Sequence, residues 1–161
     1  MNIKVKEIEQ LLEIIPNYPK INIFHINDYS YNLAKILKNF SNKNDYEYDL
    51  FFTYNKEVNP TEALRLNINQ PRYNKHSKLY DFIFISSDLS KIENIEIFFK
   101  KIYLICKNSA KIVLFLEEND FNLEQLLEKL NFVAFNYIDI SDNYKILSFQ
   151  KMHGWGLYDM S

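Results

Sequence analysis

The chain has 161 residues, of which 47% are hydrophobic and 25% are charged, and its formal net charge is -2. This length fits one domain that buries about two thirds of its unfolded surface. The weakly acidic balance provides no basic field for nucleic acid or an anionic membrane, so we expect neither as a partner. One cysteine excludes an internal disulfide, no stretch approaches the roughly 20 apolar residues of a membrane span, and we expect a cytoplasmic protein.

The first half of the chain predicts two helices and two strands. Apolar residues recur at helical spacing over 4–15, and Pro16 and Pro19 end that helix. The run 21–26 is typical of a strand, and a helix follows over 33–40 with Asn27 or Asp28 as its N-cap. A second strand is predicted over 48–54. The segment 55–78 has no sustained period and predicts a long excursion with at most one short element.

The second half continues the alternation of strands and helices. The apolar run 79–86 predicts a strand buried on both faces. The capping-box spacing from Ser90 to Glu93 predicts the start of a helix that reaches Ile105. A strand over 110–116, a helix over 122–130 and a hairpin of 132–140 with 144–150 follow. The predicted fold is α/β: a Rossmann-like three-layer sandwich whose mostly parallel sheet ends in an antiparallel hairpin.

The terminal hairpin resembles that of class I S-adenosylmethionine-dependent methyltransferases, with similarity from about 79 to 151. The run 80–86 looks like the family's fourth strand, and 98–117 looks like the helix and strand around its Pro-Gly-Gly turn, which here is 107–110 without proline or glycine. Asn131 stands where the family often has glycine before phenylalanine, and Asn tolerates the left-handed region. The resemblance implies a methyltransferase-like domain over 1–151 with a tail over 152–161.

Glycine is absent from the predicted domain over 1–151. The two glycines of the chain, Gly154 and Gly156, lie in the tail, whereas average usage predicts roughly 11. The family's first strand leads into a Gly-x-Gly-x-Gly turn, and those glycines fall here on His25, Asn27 and Tyr29. Side chains at these positions would intrude on the methionine and ribose parts of the cofactor. No acidic residue matches the family's ribose ligand after the second strand.

We therefore predict a non-catalytic methyltransferase-like domain that binds no cofactor and acts as a protein-binding or scaffolding module. The alternative is a divergent methyltransferase that binds S-adenosylmethionine through Asp28 and Asp88, which follow the first and fourth strands of the family pattern. Asp28 and Ser90 have a second interpretation as helix caps. A flavodoxin-like or receiver sheet is the competing fold, but a receiver would place two acidic residues after the first strand, and only Asp28 lies there.

Other chemistry has less support in the sequence. His25, His76 and His153 are far apart and lack metal-ligand spacing, so we expect no metal. Cys106 lies at a predicted helix end, where a small apolar role is favoured over that of a nucleophile.

Two segments predict contacts with a partner. Arg65 and Arg72 lie in the irregular segment and would receive an anion or an acidic partner, or else belong to a solvated loop. The tail contains Trp155, Tyr158 and Met160, residue types that are common at interface hot spots. We expect it to dock into a protein partner or a second copy of the chain, or to fold back over its own domain. A homodimer formed by exchange of the tail is a further alternative.

Overall fold

The computed structural model describes residues 5–15, 19–27, 31–52, 64–65, 70–73, 76–117, 123–139 and 144–152. The helices are α1 (Val5–Leu12), α2 (Tyr31–Lys43), α3 (Ile95–Ile105) and α4 (Glu124–Lys129). The strands are β1 (Asn22–Asn27), β2 (Glu47–Phe52), β3 (Leu64–Arg65), β4 (Tyr80–Ser86), β5 (Cys106–Glu117), β6 (Phe132–Asp139) and β7 (Tyr144–Lys151). A 3-10 turn, Leu89–Lys91, follows β4.

The strands form one sheet in the order β3-β2-β1-β4-β5-β7-β6. The neighbours from β3 to β5 pair in parallel, whereas β7 is antiparallel to both β5 and β6. Alternate residues of the central strands face two separate hydrophobic clusters. Phe24 and Ile83 pack with α3 and α4 on one face, and Ile23 and Phe82 pack with α2 and the end of α1 on the other. The predicted three-layer α/β fold with its terminal hairpin is confirmed.

The predicted start of the third helix is wrong by several residues. Ser90 lies in the 3-10 turn, where the Asp88 side chain accepts a hydrogen bond from its backbone N–H. Helix α3 begins at Ile95, and Asn94 caps it by accepting from the Ile97 backbone N–H at 3.1 Å. Asn94 offers the same capping chemistry four residues later, so the helix begins there.

At two irregular positions, one in a bulge and one between a helix and a strand, a residue other than glycine adopts positive φ. Strand β5 begins at Cys106, before the predicted 110, and 107–110 bulge out between the pairs Tyr80 with Cys106 and Phe82 with Lys111. Ser109 in this bulge has a φ of 65°. Asn131 has a φ of 70°, so its prediction as a glycine substitute is confirmed. Within the described segments, no helix is long and apolar enough to cross a membrane.

The end of α3 is closed by a buried lysine. Lys151, at the end of β7, is only 3% exposed, and its Nζ donates to the backbone oxygens of Tyr103 at 3.2 Å and Cys106 at 3.1 Å. The same Nζ lies 4.2 Å from the centroid of the Tyr103 ring. The Tyr103 carbonyl also accepts from the Cys106 backbone N–H, so the lysine adds a second, charged donor there. A cation at this position also opposes the negative end of the helix dipole.

We expect Lys151→Met to lower the free energy of unfolding by about 2 kcal/mol, because methionine keeps an apolar stem but removes a charged donor from the carbonyls of Tyr103 and Cys106. Urea denaturation measures the change. Lys129→Met is the matched control, since the Lys129 side chain is 71% exposed and its replacement should cost less than about 0.5 kcal/mol. Equal losses for the two variants would contradict a structural role for Lys151.

Candidate functional site

The site is the carboxyl edge of the sheet between β1 and β4. The chain runs outward from β1 to β2 and β3 on one side, and from β4 to β5 on the other, so the strand order reverses between β1 and β4. Open α/β sheets bind ligands outside the carboxyl ends of the strands at such a reversal. Asn27 and Ser86 end the two strands as direct neighbours and are both buried, and Ser87 and Asp88 follow.

A chain of polar side chains crosses three strands below this edge. His25 on β1 is fully buried, and its Nδ1 lies 2.7 Å from the hydroxyl of Tyr48 on β2. Its Nε2 lies 3.0 Å from Ser86 Oγ on β4. Ser86 Oγ in turn donates to Asn27 Oδ1 at 2.8 Å. The four side chains therefore link β2, β1 and β4 at the point where the sheet presents its polar edge.

The hydrogen bonds of His25 and its burial favour a neutral imidazole. Ser86 Oγ has two acceptors for its hydrogen, Asn27 Oδ1 at 2.8 Å and the Ile26 carbonyl oxygen at 3.3 Å. With the hydrogen on either of them, Ser86 Oγ accepts from His25 Nε2–H, and Nδ1 accepts from the Tyr48 hydroxyl. Burial lowers the pKa of His25 to about 3 and raises the pKa of Tyr48 well above its usual value. Both groups are neutral near pH 7. The chain of hydrogen bonds holds the strand ends in place and is poorly suited to proton transfer at that pH.

The assignment of His25 to a glycine position in the turn is wrong. His25 lies inside β1, with Leu50 and Phe84 as its neighbours on the flanking strands, and Asn27 is the last residue of the strand. Its imidazole points into the sheet face that packs against α2, so it does not occupy the carboxyl edge. Tyr29 lies outside the described residues.

One buried hydroxyl at the edge has no protein partner within the described part of the chain. Ser87, which directly follows β4, is 3% exposed, and its Oγ makes no hydrogen bond there. A buried hydroxyl without a partner costs about 1–3 kcal/mol, so it is a natural contact for a polar ligand atom. Ser41, near the end of α2, is the other serine in the described segments with a buried hydroxyl in this state.

The two acidic residues predicted as cofactor ligands are placed differently. Asp88 is half-buried at the carboxyl edge, and its Oδ1 accepts from the Ser90 backbone N–H at 3.0 Å and from Ser90 Oγ at 2.6 Å. It therefore caps the 3-10 turn, and a cofactor role for it stays a prediction. Asp28 lies outside the described residues.

The remaining sequence candidates do not join this site. Cys106 is fully buried at the opposite edge, and burial raises the pKa of its thiol to about 12, so it stays an unreactive apolar residue. Among the described segments, no group of three His, Cys, Asp or Glu side chains could hold a metal ion.

The predicted partner contacts are only partly described. Arg72 is exposed before β4, whereas Arg65 ends the short β3 and its side chain is outside the description. Trp155, Tyr158 and Met160 lie outside the described residues, so docking by the tail stays a prediction.

Comparison with known proteins gives a result at the level of structure alone. Neither a protein family nor a curated protein matches the sequence. Among solved structures, a SAM-dependent methyltransferase from Aquifex aeolicus is similar with a TM-score of 0.69 and 10% identity, over 90% of this chain and 89% of that one. The citrinin polyketide synthase CMeT domain gives a TM-score of 0.67 and 10% identity over 91% of this chain, which spans only 50% of that one.

A third solved structure carries a bound product of the cofactor. The 1,6-didemethyltoxoflavin-N1-methyltransferase of Burkholderia thailandensis, with 1,6-didemethyltoxoflavin and S-adenosylhomocysteine bound, has a TM-score of 0.60 and 10% identity, over 92% of this chain and 77% of that one. The prediction of a non-catalytic scaffold without a cofactor is wrong by this comparison, because the Aquifex neighbour is a SAM-dependent methyltransferase and the Burkholderia methyltransferase has S-adenosylhomocysteine bound. The comparison favours the alternative, a divergent methyltransferase. The chain has the class I methyltransferase-like fold.

The buried imidazole predicts a pH dependence of stability. The pKa of His25 is about 3 in the folded protein and about 6.5 in an unfolded chain. Below pH 6.5, His25 therefore binds a proton in the unfolded state but not in the folded state. The contribution of neutral His25 is fully present above pH 6.5, and it falls by about 1.4 kcal/mol per pH unit until the pH nears the folded pKa.

We expect His25→Gln to remove this slope between pH 6 and pH 4, relative to the unmodified protein, in urea denaturation at each pH. Carboxyl groups titrate in both proteins, so the difference between the two slopes isolates the imidazole. His76→Gln, which replaces an exposed imidazole, is the control and should keep the original slope. Identical slopes for all three proteins would show that His25 is protonated inside the fold.

Proposed function

We propose that the chain is a divergent S-adenosylmethionine-dependent methyltransferase with its cofactor at the carboxyl ends of β1 and β4. The observation that carries the proposal is the buried hydroxyl of Ser87 at the reversal of strand order, which has no hydrogen-bond partner among the described residues. A folded protein gains by pairing such a hydroxyl, and the ligand position of open α/β sheets lies just above it. The structural likeness to methyltransferases indicates which ligand to test first.

The residues of the edge fit the polar groups of this cofactor. S-adenosylmethionine carries ribose hydroxyls, an ammonium and a carboxylate. A serine hydroxyl such as that of Ser87 both donates and accepts, and an aspartate such as Asp88 accepts from hydroxyl or ammonium groups. Asp28 directly follows β1 in the sequence and is the second acid that we propose as a ligand. The charges of the two carboxylates complement the sulfonium and the ammonium.

The main role of the protein in methyl transfer is to position the cofactor and the substrate relative to each other. When bound, S-adenosylmethionine supplies a methyl group on a positively charged sulfur, which a nucleophile on the substrate can attack. Holding two reactants in line accounts for a large part of a rate enhancement, so a dedicated general base is not required. The neutral His25 chain serves this task by keeping Asn27 and Ser86 fixed at the edge, below the reacting groups.

Calorimetric titration with S-adenosylmethionine and S-adenosylhomocysteine tests the proposal. We expect saturable binding at micromolar strength, which is about 8 kcal/mol. Ser87→Ala should weaken the affinity about fivefold to tenfold, since it removes one hydrogen bond of about 1–1.5 kcal/mol. The variant should fold at least as stably as the unmodified protein, because it also removes an unpaired buried hydroxyl.

Ser41→Ala is the matched control. It deletes the same kind of buried, unpartnered hydroxyl near the end of α2, next to the start of β2 and away from the carboxyl edge. Its affinity for the cofactor should equal that of the unmodified protein. No heat with either ligand up to millimolar concentration would overturn the proposal. An equal loss in both serine variants would move the cofactor away from Ser87.

A further inference from the structure

A second cavity lies at the amino edge of the sheet, where β4 and β5 begin. It has a volume of about 210 Å³ and lies between the second half of α3 and the segment that precedes β4. Strand β4 has seven residues, so this cavity is about 20 Å from the carboxyl edge. Sites for whole cofactors commonly have roughly 300–1,000 Å³, so this one suits a small ligand.

The floor of the cavity is apolar and rigid. Tyr73 is 4% exposed, and its ring packs on Phe98 of α3 with 5.9 Å between ring centroids. Ile105 lines the same floor and is buried, while Leu104 forms a wall with 47% of its surface exposed. Burial raises the pKa of Tyr73, so its phenol is neutral and adds no negative charge. An aromatic ring with aliphatic neighbours offers a flat surface on which a ring can stack.

The rim of the cavity is cationic. Lys101 Nζ lies 5.3 Å from the centroid of the Tyr73 ring, and the exposed residues Arg72 and His76 line the opening. Among the described residues that line the cavity, none is acidic. Two permanent positive charges beside an apolar floor favour a ligand with a negative group and a hydrophobic body.

The C-terminus of α3, which lies beside the cavity, does not repel an anionic ligand. The C-terminus of a helix carries partial negative charge on carbonyls that lack partners. Here the carbonyls of Leu104 and Ile105 accept from the backbone N–H groups of Lys78 and Leu79, each at 2.9 Å. Those of Tyr103 and Cys106 accept from the buried Lys151 ammonium. These bonds also fix the segment before β4 against α3, so the walls of the cavity are held in place.

We infer that this amino-edge cavity binds a small ring-bearing organic anion, a carboxylate or a phosphomonoester. The ring lies against Tyr73 and Leu104, and the anionic group is held by Arg72 and Lys101. This site is separate from the proposed methyl-transfer edge and does not depend on it.

Amide chemical shifts of the full-length ¹⁵N-labelled protein test the inference, with phenyl phosphate and benzoate as probes. We expect saturable shifts in residues 72–77 and 101–105 at submillimolar to millimolar concentration. Benzyl alcohol, the neutral counterpart, should bind at least about fivefold more weakly, because it lacks the charge that the rim attracts. Tighter binding of phenyl phosphate would assign a phosphorylated ligand, and tighter binding of benzoate a carboxylate; either supports the inference.

The double variant Arg72→Gln with Lys101→Gln should weaken the binding of both anions by about tenfold, since each of the two charges is worth up to about fivefold. Lys100→Gln is the control, because Lys100 is exposed on the same helix but does not line the cavity. Each of three results would overturn the inference. Benzyl alcohol would bind as tightly as the anions, the control variant would lose as much affinity as the double variant, or no amide shifts would appear at about 10 mM probe. Cofactor affinity measured on the double variant should be unchanged, so failure of either site is distinguishable from failure of the other.

Discussion

Strand β1 is paired on both sides and covered on both faces, so its polar side chains beyond Asn22 cannot reach water. Every residue from Ile23 to Asn27 is buried, and two of these five residues have polar side chains. A buried polar group is tolerated only when its hydrogen bonds are made inside the protein. The contacts of His25 with Tyr48 and Ser86 meet that requirement. They also fix the relative positions of β2, β1 and β4, whose ends form the carboxyl edge. The same buried contacts that stabilise the core therefore hold the site in place.

Much of the fold was predictable from the sequence because its signals are local. Apolar runs mark β1, β4 and β5, and the two runs 132–140 and 144–150, with no helix between them, mark the hairpin. The site was harder to predict, because its members meet only after strand pairing: Tyr48 and Ser86 are 38 residues apart and have no spacing that links them. The helix start was mistaken because Ser90 and Asn94 offer the same capping chemistry. His25 was placed in the turn because a motif was matched by position, whereas the strand runs on to Asn27.

The lack of glycine has a visible structural cost. Non-glycine residues adopt positive φ at Lys20, Asp45, Lys78, Ser109, Asn131 and Ala134. Side chains with a β-carbon resist this region, and the cost is smallest for Asn and Asp. Most of these positions fall at ends of elements or in bulges, where the sheet and its helices leave only one path for the backbone. A chain that reverses without glycine is also stiffer when unfolded, which offsets part of that strain.

The bulge at Ala134 affects whether two copies of the protein can pair through their edge strands. Strand β6 is the last of the sheet, and one of its sides has no neighbouring strand among the described residues. Its pairing with β7 shifts between Val133 and Asn136, so Ala134 and Phe135 bulge out of the regular ladder. An uninterrupted edge invites another chain to add a strand, and a bulge breaks the register that such an addition needs. Ala134 thereby protects a tyrosine- and phenylalanine-rich strand from edge-to-edge aggregation.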